Sequence, residues 1–167
     1  NDSGFSWVGQ TFRERGAKTL HLDEAPNSSN LHEASVYIIV DPDHAKENAN
    51  PNYVSGNDIK AITDWVKAGG VLLLMANDSG NCDLDYFNKL ANEFGVTFTS
   101  KSRNMVKNDA FETGVVVPND KQVFKGSYKM YLKEISVIKM KAPARALVTK
   151  ENDVVIATAK YGKGTVF

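Results

Sequence analysis

The stretch from Ser55 to Asn81, SGNDIKAITDWVKAGGVLLLMANDSGN, predicts a helix, a buried strand and a polar turn in succession. Ser55 or Asn57 can cap the helix by accepting a hydrogen bond from a free backbone N–H. Gly69-Gly70 ends the helix, because glycine takes the left-handed conformation without a Cβ clash. The run Val71–Met75 shows no polar alternation, which is typical of a strand covered on both faces in a parallel sheet.

The elements around this stretch alternate between strand and helix. The β-branched run Val36–Val40 predicts a second buried strand, so that strand, helix and strand form one βαβ unit. Apolar residues from Leu84 to Phe94 recur at helical spacing and predict a third helix, which Gly95 ends before a short strand at Val96–Phe98. This alternation predicts an α/β fold with a flavodoxin-like, doubly wound, mainly parallel sheet.

Further elements are predicted towards both ends of the chain. An amphipathic helix over Ser6–Arg15, with Phe5 among its apolar residues, precedes a short strand at Lys18–Leu22. Residues 101–133 have no clean period and are interpreted as an irregular insertion. Antiparallel strands that finish the sheet are predicted at Ile135–Met140, Arg145–Thr149 and Val154–Ala159. A hairpin turn at Glu151-Asn152-Asp153 joins the last two, and a second tight turn is predicted at Gly162-Lys163-Gly164.

The bulk composition fits a single α/β domain spanning residues 1–167. Hydrophobic residues make up 42% and charged residues 24%, and twenty basic residues balance twenty acidic ones. A net charge of zero predicts no basic field for nucleic acid or an anionic membrane. The longest apolar runs are shorter than the about 20 residues that cross a bilayer, and the first residues do not resemble a signal peptide. The abrupt beginning and end predict a piece of a longer chain.

Three stretches carry a family resemblance: Val36–Asn50 (VYIIVDPDHAKENAN), Ile62–Asn81 (ITDWVKAGGVLLLMANDSGN) and Ala159–Phe167 (AKYGKGTVF). They resemble the glutamine-amidotransferase-like domain of unknown function found beside unsaturated rhamnogalacturonyl hydrolases in gut Bacteroidetes. The resemblance extends from Gly4 to Phe167. It implies a class I glutamine-amidotransferase-like form of the flavodoxin-like fold, a role in the degradation of pectin, specifically rhamnogalacturonan, and a periplasmic or secreted bacterial location.

The resemblance does not imply that this chain cuts sugar. The catalytic part of those hydrolases is a separate helical barrel, which the α/β pattern of this chain cannot build. The implied partners are therefore that helical-barrel glycoside hydrolase domain or an oligosaccharide.

Cys82 is the candidate nucleophile, because glutamine amidotransferases use a cysteine with a histidine and a carboxylate. Its surroundings lack the second glycine of a sharp strand-to-helix turn, and the neighbouring Asp83 is expected to raise the thiol pKa. All three histidines come earlier in the chain than the histidine of that family: His21, His32 and His44. The alternative is a structural cysteine at the start of the third helix. A single cysteine allows neither an internal disulfide nor a cysteine-based zinc site.

Polar side chains follow the two buried strands at their carboxyl ends, where open α/β sheets bind ligands. These candidate ligand-binding residues are Asp41, Asp43, His44, Asn77, Asp78 and Asn81. Carboxylates with amides suit a divalent cation or the hydroxyls of a sugar, and no other cofactor is expected. The alternative is ordinary turn chemistry, because Asp, Asn, Ser and Gly are frequent in such turns.

Four aromatic residues could stack on a sugar ring: Trp7, Tyr53, Trp65 and Tyr161. Trp65 lies at helical spacing and is interpreted as a core residue, whereas Tyr53 in the polar loop before Ser55 is expected to be exposed.

The sequence favours a non-catalytic accessory domain of a rhamnogalacturonan-degrading hydrolase, which binds an oligosaccharide or its catalytic partner domain. The rival hypothesis is an active hydrolase that uses the carboxylates or Cys82. A third hypothesis is an interaction domain that docks through an exposed apolar patch.

Overall fold

The computed structural model of the protein describes residues 6–118, 120–126 and 128–167. Its helices are α1 (Ser6–Glu14), α2 (Ser28–Leu31), α3 (Gly56–Ala68) and α4 (Leu84–Ala91), with 3-10 turns at Asn92–Phe94 and Phe111–Gly114. Its strands are β1 (Val36–Val40), β2 (Val71–Met75), β3 (Val96–Arg103), β4 (Val115–Val116), β5 (Met130–Tyr131), β6 (Ile135–Met140), β7 (Arg145–Lys150), β8 (Asp153–Tyr161) and β9 (Gly164–Val166). Phe5, which the sequence pattern assigns to the first helix, lies outside the described residues.

The predicted βαβ unit forms the parallel part of the sheet. Ser55 caps α3, because its hydroxyl accepts a hydrogen bond from the Asp58 amide while the Asp58 carboxylate accepts one from the Ser55 amide. Gly69 ends the helix with a φ of 135°, a value that favours glycine. β1 and β2 then pair in parallel from Val36 opposite Val71 onwards. The prediction of this unit is confirmed.

The sheet as a whole is mixed, and the prediction of a flavodoxin-like, doubly wound, mainly parallel sheet is wrong. The strand order is β1-β2-β9-β8-β6-β3, with β7 paired to β8. Among the described strands, only the pairs β1–β2 and β2–β9 of this large sheet are parallel. The last strand of the chain, β9, takes the place beside β2 that a doubly wound fold gives to the strand after the next helix.

α4 leads to the far edge of the sheet instead of crossing over to a parallel strand. β3 follows it as an edge strand, antiparallel to β6, and continues to Arg103, beyond the predicted end at Phe98. The Asn88 side chain of α4 fixes this edge: it accepts a hydrogen bond from the Phe98 amide (2.8 Å) and donates one to the Phe98 carbonyl (2.9 Å).

Two apolar clusters hold the fold together. The larger cluster joins α3 and α4 to the sheet and contains Ile62, Val66, Leu72, Phe87 and Phe94. The smaller cluster lies between the β4–β5 hairpin and the strands β7 and β8, and contains Val116, Leu147, Val148 and Val155. The insertion therefore covers part of the antiparallel sheet that the helices leave open.

The smaller predictions have mixed outcomes. The first helix and the hairpin turn at Gly162-Lys163-Gly164, between β8 and β9, are confirmed. The strand predicted at Lys18–Leu22 is wrong: these residues belong to no described strand, and Leu20 is 77% exposed. β1 is the edge strand of the sheet and pairs with β2 alone among the described strands, so Lys18–Leu22 does not extend the sheet beyond β1. None of the described helices is long and apolar enough to cross a membrane.

Candidate functional site

The polar turns after β1 and β2 meet at the carboxyl ends of the two strands. The Asp41 amide donates a hydrogen bond to the Met75 carbonyl (3.0 Å), and the Asp41 carboxylate accepts one from the Asn77 amide (2.6 Å). Asp78 and Cys82 follow on the second turn, and these four residues (Asp41, Asn77, Asp78 and Cys82) are named the strand-end cluster. The expectation that the two turns come together is confirmed.

Asp78 organises the turn after β2. Its Oδ1 accepts hydrogen bonds from the Gly80 amide (2.8 Å) and from Nδ2 of Asn81 (3.2 Å). Its own amide donates to Oδ1 of Asn77 (2.7 Å), and its carbonyl accepts from the Cys82 amide (3.0 Å). Ordinary turn chemistry, the alternative offered by the sequence, thus accounts for one oxygen of each carboxylate.

The remaining polar atoms of the cluster are available to a ligand. Oδ2 of Asp41, Oδ2 of Asp78 and Nδ2 of Asn77 have no hydrogen-bond partner among the described residues. None of the three is among the completely buried polar atoms that lack a partner, and all three residues are half-buried. Two acceptors and one donor at this edge are therefore left without a partner by the bonds that fix the turns.

Asp41 is the most unusual residue of the cluster. Its φ of 38° lies in the left-handed region that residues other than glycine rarely occupy. Burial raises the pKa of its carboxyl; the hydrogen bond from Asn77 opposes this effect, and the carboxylates of Glu47 and Asp78 add to it. Backbone strain and a shifted pKa are both frequent at functional sites.

Cys82 is a buried thiol with 1% of its surface exposed. Burial raises its pKa to about 12, with the carboxylates of Asp41, Asp83 and Asp78 acting in the same direction and the Asn77 backbone against them. The predicted effect of Asp83 is confirmed, although burial is the larger cause. A thiol that is protonated and inaccessible at neutral pH is a poor nucleophile, so this geometry opposes the nucleophile hypothesis.

Asp43 and His44 build the loop after β1 and do not hydrogen-bond to the strand-end cluster. Asp43 accepts a hydrogen bond from Nδ2 of Asn48 (2.6 Å), and Nδ1 of His44 accepts one from the Lys46 amide (3.1 Å). In the part of the chain that the structure describes, no group of three His, Cys, Asp or Glu side chains could hold a metal ion.

Tyr53 stacks on Tyr86, a residue that the sequence analysis did not single out. The ring centroids are 4.3 Å apart with an interplanar angle of 12°, and Nζ of Lys89 lies 3.8 Å from the Tyr86 centroid. Tyr53 is 36% and Tyr86 37% exposed, so the tyrosine stack (Tyr53, Tyr86 and Lys89) lies at the surface. The Asp83 carboxylate accepts a hydrogen bond from the Tyr86 amide (3.3 Å), which places the stack at the first turn of α4, next to Cys82.

The sequence contained a signal for Tyr86 and Lys89. The buried positions of α4 are Leu84, Phe87, Leu90 and Ala91. Residues 86 and 89 are three apart on the opposite face, where side chains at that spacing are neighbours. The helical pattern therefore predicts that Tyr86 and Lys89 are neighbours on the outer face of α4, directly after the polar turn.

The other aromatic candidates divide between core and surface. Trp65 packs against the larger cluster and donates its indole N–H to the Ala34 carbonyl (3.2 Å), so its interpretation as a core residue is confirmed. Tyr161 also packs against the larger cluster, edge-on to Phe94. Trp7 on α1 is 74% exposed, more than Tyr53.

The zero net charge of the chain is the sum of two regions with opposite net charge and a short N-terminal segment. Residues 23–93, named the acidic region, contain twelve acidic and four basic residues, a net charge of −8. Residues 94–167, named the basic region, contain six acidic and thirteen basic residues, a net charge of +7. The total charge therefore does not describe either region by itself, and the expectation that the chain has no basic field stays a prediction. The strand-end cluster and the tyrosine stack belong to the acidic region.

Two grooves of the described structure have no lining residue from the strand-end cluster. One of about 470 Å³ is bordered by β3, β6 and β8, and one of about 320 Å³ lies beside Val71 and Phe167.

Comparisons with known proteins bear on the fold. No protein-family model matches the sequence, and no curated protein matches it. The N-terminal domain of mmIFT52 has a similar structure, with a TM-score of 0.72 and 16% identity over 99% of this chain and 78% of that chain. The cytoplasmic protein STM1381 from Salmonella typhimurium LT2 matches with a TM-score of 0.69 and 15% identity over 99% of this chain and 74% of that chain.

A partial likeness extends to a sugar hydrolase. The β-galactosidase from Rahnella sp. R3 matches with a TM-score of 0.53 and 17% identity over 79% of this chain and 19% of that chain. At such identities the likeness concerns the fold alone. The likeness to the mmIFT52 domain agrees with the mixed sheet and not with a doubly wound parallel one.

Proposed function

We propose that the chain is a non-catalytic accessory domain of a rhamnogalacturonan-degrading glycoside hydrolase, and that its strand-end edge binds an oligosaccharide. One observation carries the binding site: Asp41 and Asp78 are each fixed through one oxygen and leave the other without a hydrogen-bond partner, and the helix that follows this turn carries Tyr86 of the tyrosine stack. The family resemblance of the sequence supports the setting. By that resemblance the protein acts in the periplasm or outside the cell, together with a helical-barrel hydrolase domain.

The unpartnered atoms match the chemistry of a sugar. Sugar hydroxyls can donate to the free oxygens of Asp41 and Asp78 and accept from Nδ2 of Asn77, while a ring can pack on an exposed tyrosine. Because the acceptors are already fixed by turn hydrogen bonds, little side-chain entropy is lost on binding. The carboxylates of Asp41 and Asp78, in a region with a net charge of −8, repel the carboxylates of uronates, so neutral sugar residues are the ligand at this edge.

A domain of this fold can accompany other parts of a sugar hydrolase. The likeness to the Rahnella β-galactosidase covers 19% of that chain, so the similar unit is a minor part of a larger protein there. This analogy supports an accessory role and carries no information about the ligand.

The rival function is a hydrolase that uses Asp41 and Asp78 as an acid and a base. The specific observation in its favour is the raised pKa of Asp41, because a carboxyl that keeps its proton can act as a general acid. The form of this hypothesis that uses Cys82 has no support in the geometry, since the thiol is buried and its pKa is about 12.

A thermal-shift screen tests the binding site. The ligands are neutral side-chain oligosaccharides and uronate-containing backbone oligosaccharides of rhamnogalacturonan, with Ca²⁺ and Mg²⁺ as further arms. At 100 times its dissociation constant, a ligand of the folded state stabilises by about 2.7 kcal/mol. We expect a shift with neutral oligosaccharides that is lost in Asp41→Asn/Asp78→Asn and reduced in Tyr53→Ala.

Asparagine is the informative replacement at both positions. Its side-chain oxygen can still accept from the Asn77 and Gly80 amides, whereas alanine would remove these turn hydrogen bonds. Glu33→Gln/Asp64→Asn is the matched control, because it removes two exposed negative charges of the acidic region elsewhere. No shift with any sugar, or the same shift in Asp41→Asn/Asp78→Asn, would contradict the proposal. A shift with Ca²⁺ alone that this variant abolishes would replace the sugar by a metal ion.

A further inference from the structure

We infer that Ser136 is a positioning residue of the strand-end cluster: it orients the peptide between Asn77 and Asp78 and, through that peptide, the side-chain amide of Asn77 that can donate to a ligand. Ser136 belongs to β6, in the basic region, far from the cluster in sequence. The inference adds a residue to the site put forward above, and it rests on the proposed function for the identity of the ligand.

The turn after β2 contacts the beginning of β6. β9 pairs with β2 at Val71 and Leu72. Further along, Asn77 and Ile135 form an isolated antiparallel bridge. Beside this bridge, the hydroxyl of Ser136 donates a hydrogen bond to the Asn77 carbonyl (2.6 Å). Two residues that are 59 positions apart in the chain therefore meet at the carboxyl end of β2.

Ser136 is itself firmly held. β6 pairs antiparallel with β3, so that Ser136 lies opposite Ser102, and the preceding Ile135 packs against the smaller apolar cluster. Ser136 is 2% exposed, and a hydroxyl at such a position needs a hydrogen-bond partner within the protein. The Asn77 carbonyl is that partner, so the Ser136 hydroxyl is a fixed donor.

One peptide unit transmits the constraint to the side chain of Asn77. The carbonyl of this unit accepts from Ser136, and its N–H, which belongs to Asp78, donates to Oδ1 of Asn77 (2.7 Å). Because a peptide unit is planar, the bond to its carbonyl also fixes the direction of its N–H. Oδ1 of Asn77 must face that N–H, so Nδ2 on the same planar amide is directed as well.

The direction of Nδ2 matters for a ligand. Of the three atoms of the cluster that have no hydrogen-bond partner among the described residues, Nδ2 of Asn77 is the donor and the other two are acceptors. A donor that is already fixed loses little entropy when a sugar hydroxyl accepts from it. Ser136 therefore contributes to binding without contact with the ligand.

Thr158 offers a matched control. It is 7% exposed, and its hydroxyl donates to the Val166 carbonyl (2.8 Å), between β8 and β9 and outside the strand-end cluster. Ser136→Ala and Thr158→Val each remove a buried hydroxyl that donates to a backbone carbonyl. If Ser136 served only the stability of the fold, the two variants would behave alike.

Nuclear magnetic resonance of the ¹⁵N-labelled chain tests the inference without a ligand. In the unmodified chain and in Thr158→Val, the order parameter of Nδ2 of Asn77 should be close to the value of a rigid backbone, about 0.85. In Ser136→Ala it should fall below about 0.6, and the Asp78 amide should exchange with solvent about tenfold faster. Circular dichroism melts establish that the variants remain folded. Ser136→Cys, which keeps the shape but has a weak donor, replaces Ser136→Ala if that variant does not fold.

Titration with neutral side-chain oligosaccharides of rhamnogalacturonan tests the link to the ligand. Ser136→Ala should weaken binding about tenfold, the loss of one well-directed hydrogen bond, while Thr158→Val binds as tightly as the unmodified chain. Unchanged binding in Ser136→Ala would overturn the inference, as would an order parameter of Nδ2 that stays high in Ser136→Ala or falls equally in both variants. If the unmodified chain bound no sugar, the proposed function would fail, and the order parameter alone would decide whether Ser136 positions Asn77.

Discussion

The acidic and the basic region of this chain encode their structure in different ways. In the acidic region, strand β1, helix α3 and strand β2 follow one another in the chain and pack as neighbours in space. In the basic region, β8 pairs with β9, β6 and β7, and the last strand of the chain returns to the acidic region to pair with β2. The basic region thus contains the hairpin pairs β7–β8 and β8–β9, but its place in the sheet is set by two long-range pairs, β3 with β6 and β9 with β2.

The two regions also differ in charge and in the side chains that they expose. The acidic region carries carboxylates at its strand ends, where the strand-end cluster is built. The basic region carries an inserted hairpin with lysines and exposed apolar residues. A chain with zero net charge can therefore contain two regions of opposite charge, and both β9 beside β2 and the Asn88–Phe98 hydrogen bonds join them.

The largest effect is expected where β9 packs against the acidic region. A Cβ at Gly164 would lie 2.0 Å from the Val66 carbonyl oxygen and 2.5 Å from that of Gly70, both backbone atoms. Gly164→Ala should therefore cost more than about 3 kcal/mol of the free energy of unfolding, or prevent folding. Urea denaturation followed by circular dichroism measures the loss.

Gly56 offers the matched control for this substitution. A Cβ at this first residue of α3 would meet no atom within 4 Å, so Gly56→Ala should leave the free energy of unfolding unchanged or slightly higher. If Gly164→Ala were as stable as the unmodified chain, β9 could not lie between β2 and β8 as described.

Core truncations test whether the two regions unfold together. Leu72 in the acidic region is fully buried, and Leu147 in the basic region is 3% exposed. Leu72→Ala and Leu147→Ala should each cost about 2–5 kcal/mol. In a Trp7→Phe background, the fluorescence of Trp65 reports on the acidic region alone. The midpoint of the unfolding transition seen by Trp65 should be lower in both variants. A midpoint that is unchanged in Leu147→Ala would show that the regions unfold separately.

A smaller loss is expected at the buried thiol. Cys82→Ser places a hydroxyl where the sulfur is 1% exposed, which should cost about 1–3 kcal/mol and leave sugar binding unchanged. The native thiol should resist a disulfide exchange reagent and react fully after unfolding in urea. Rapid reaction of the native protein would instead show that the Cys82 thiol is accessible and would support the nucleophile hypothesis.

The smallest effects concern two carboxyls whose pKa values shift in opposite directions. Burial raises the pKa of Asp41 above 3.8, so its contribution to stability is complete at low pH and is lost as the pH rises through the raised pKa. The hydrogen bond from Lys101 lowers the pKa of Asp153 below 3.8, so its contribution is complete above that value and is lost as the pH falls through the lowered pKa.

Melting temperatures from pH 2 to pH 8 measure both contributions. Relative to the unmodified chain, Asp41→Asn should become more favourable as the pH rises above 4. Asp153→Asn should be least favourable near neutrality, and its deficit should shrink in acid. The same pH dependence in the two variants would contradict the assigned surroundings of one of the carboxyls.

The parts of the fold that could be predicted from the sequence are those with a local physical cause. The Ser55 cap, the Gly69 stop and the apolar run at Val71–Met75 follow from backbone chemistry and burial. The meeting of the turns at Asp41 and Asn77 followed from the parallel pairing of the two strands.

The order of the strands could not be predicted in the same way. The pattern of Val96–Phe98 indicates a strand but not its neighbour, and it is the same for an edge strand antiparallel to β6 as for a parallel strand beside β2. The three residues of β9 at the end of the chain were too short to indicate a place in the centre of the sheet. The exposed apolar residues of the insertion could not be predicted, because residues 101–133 have no period. Only the structure shows that a side chain such as Phe111 is exposed.

The measurement that tests the central claim most directly is a calorimetric titration of neutral side-chain oligosaccharides of rhamnogalacturonan into the chain, followed by chromatography of the recovered sugar. We predict saturable binding to one site that Asp41→Asn/Asp78→Asn abolishes, with the sugar recovered intact after prolonged incubation. Shortened sugar whose formation this variant abolishes would contradict the account and identify an active hydrolase that uses Asp41 and Asp78.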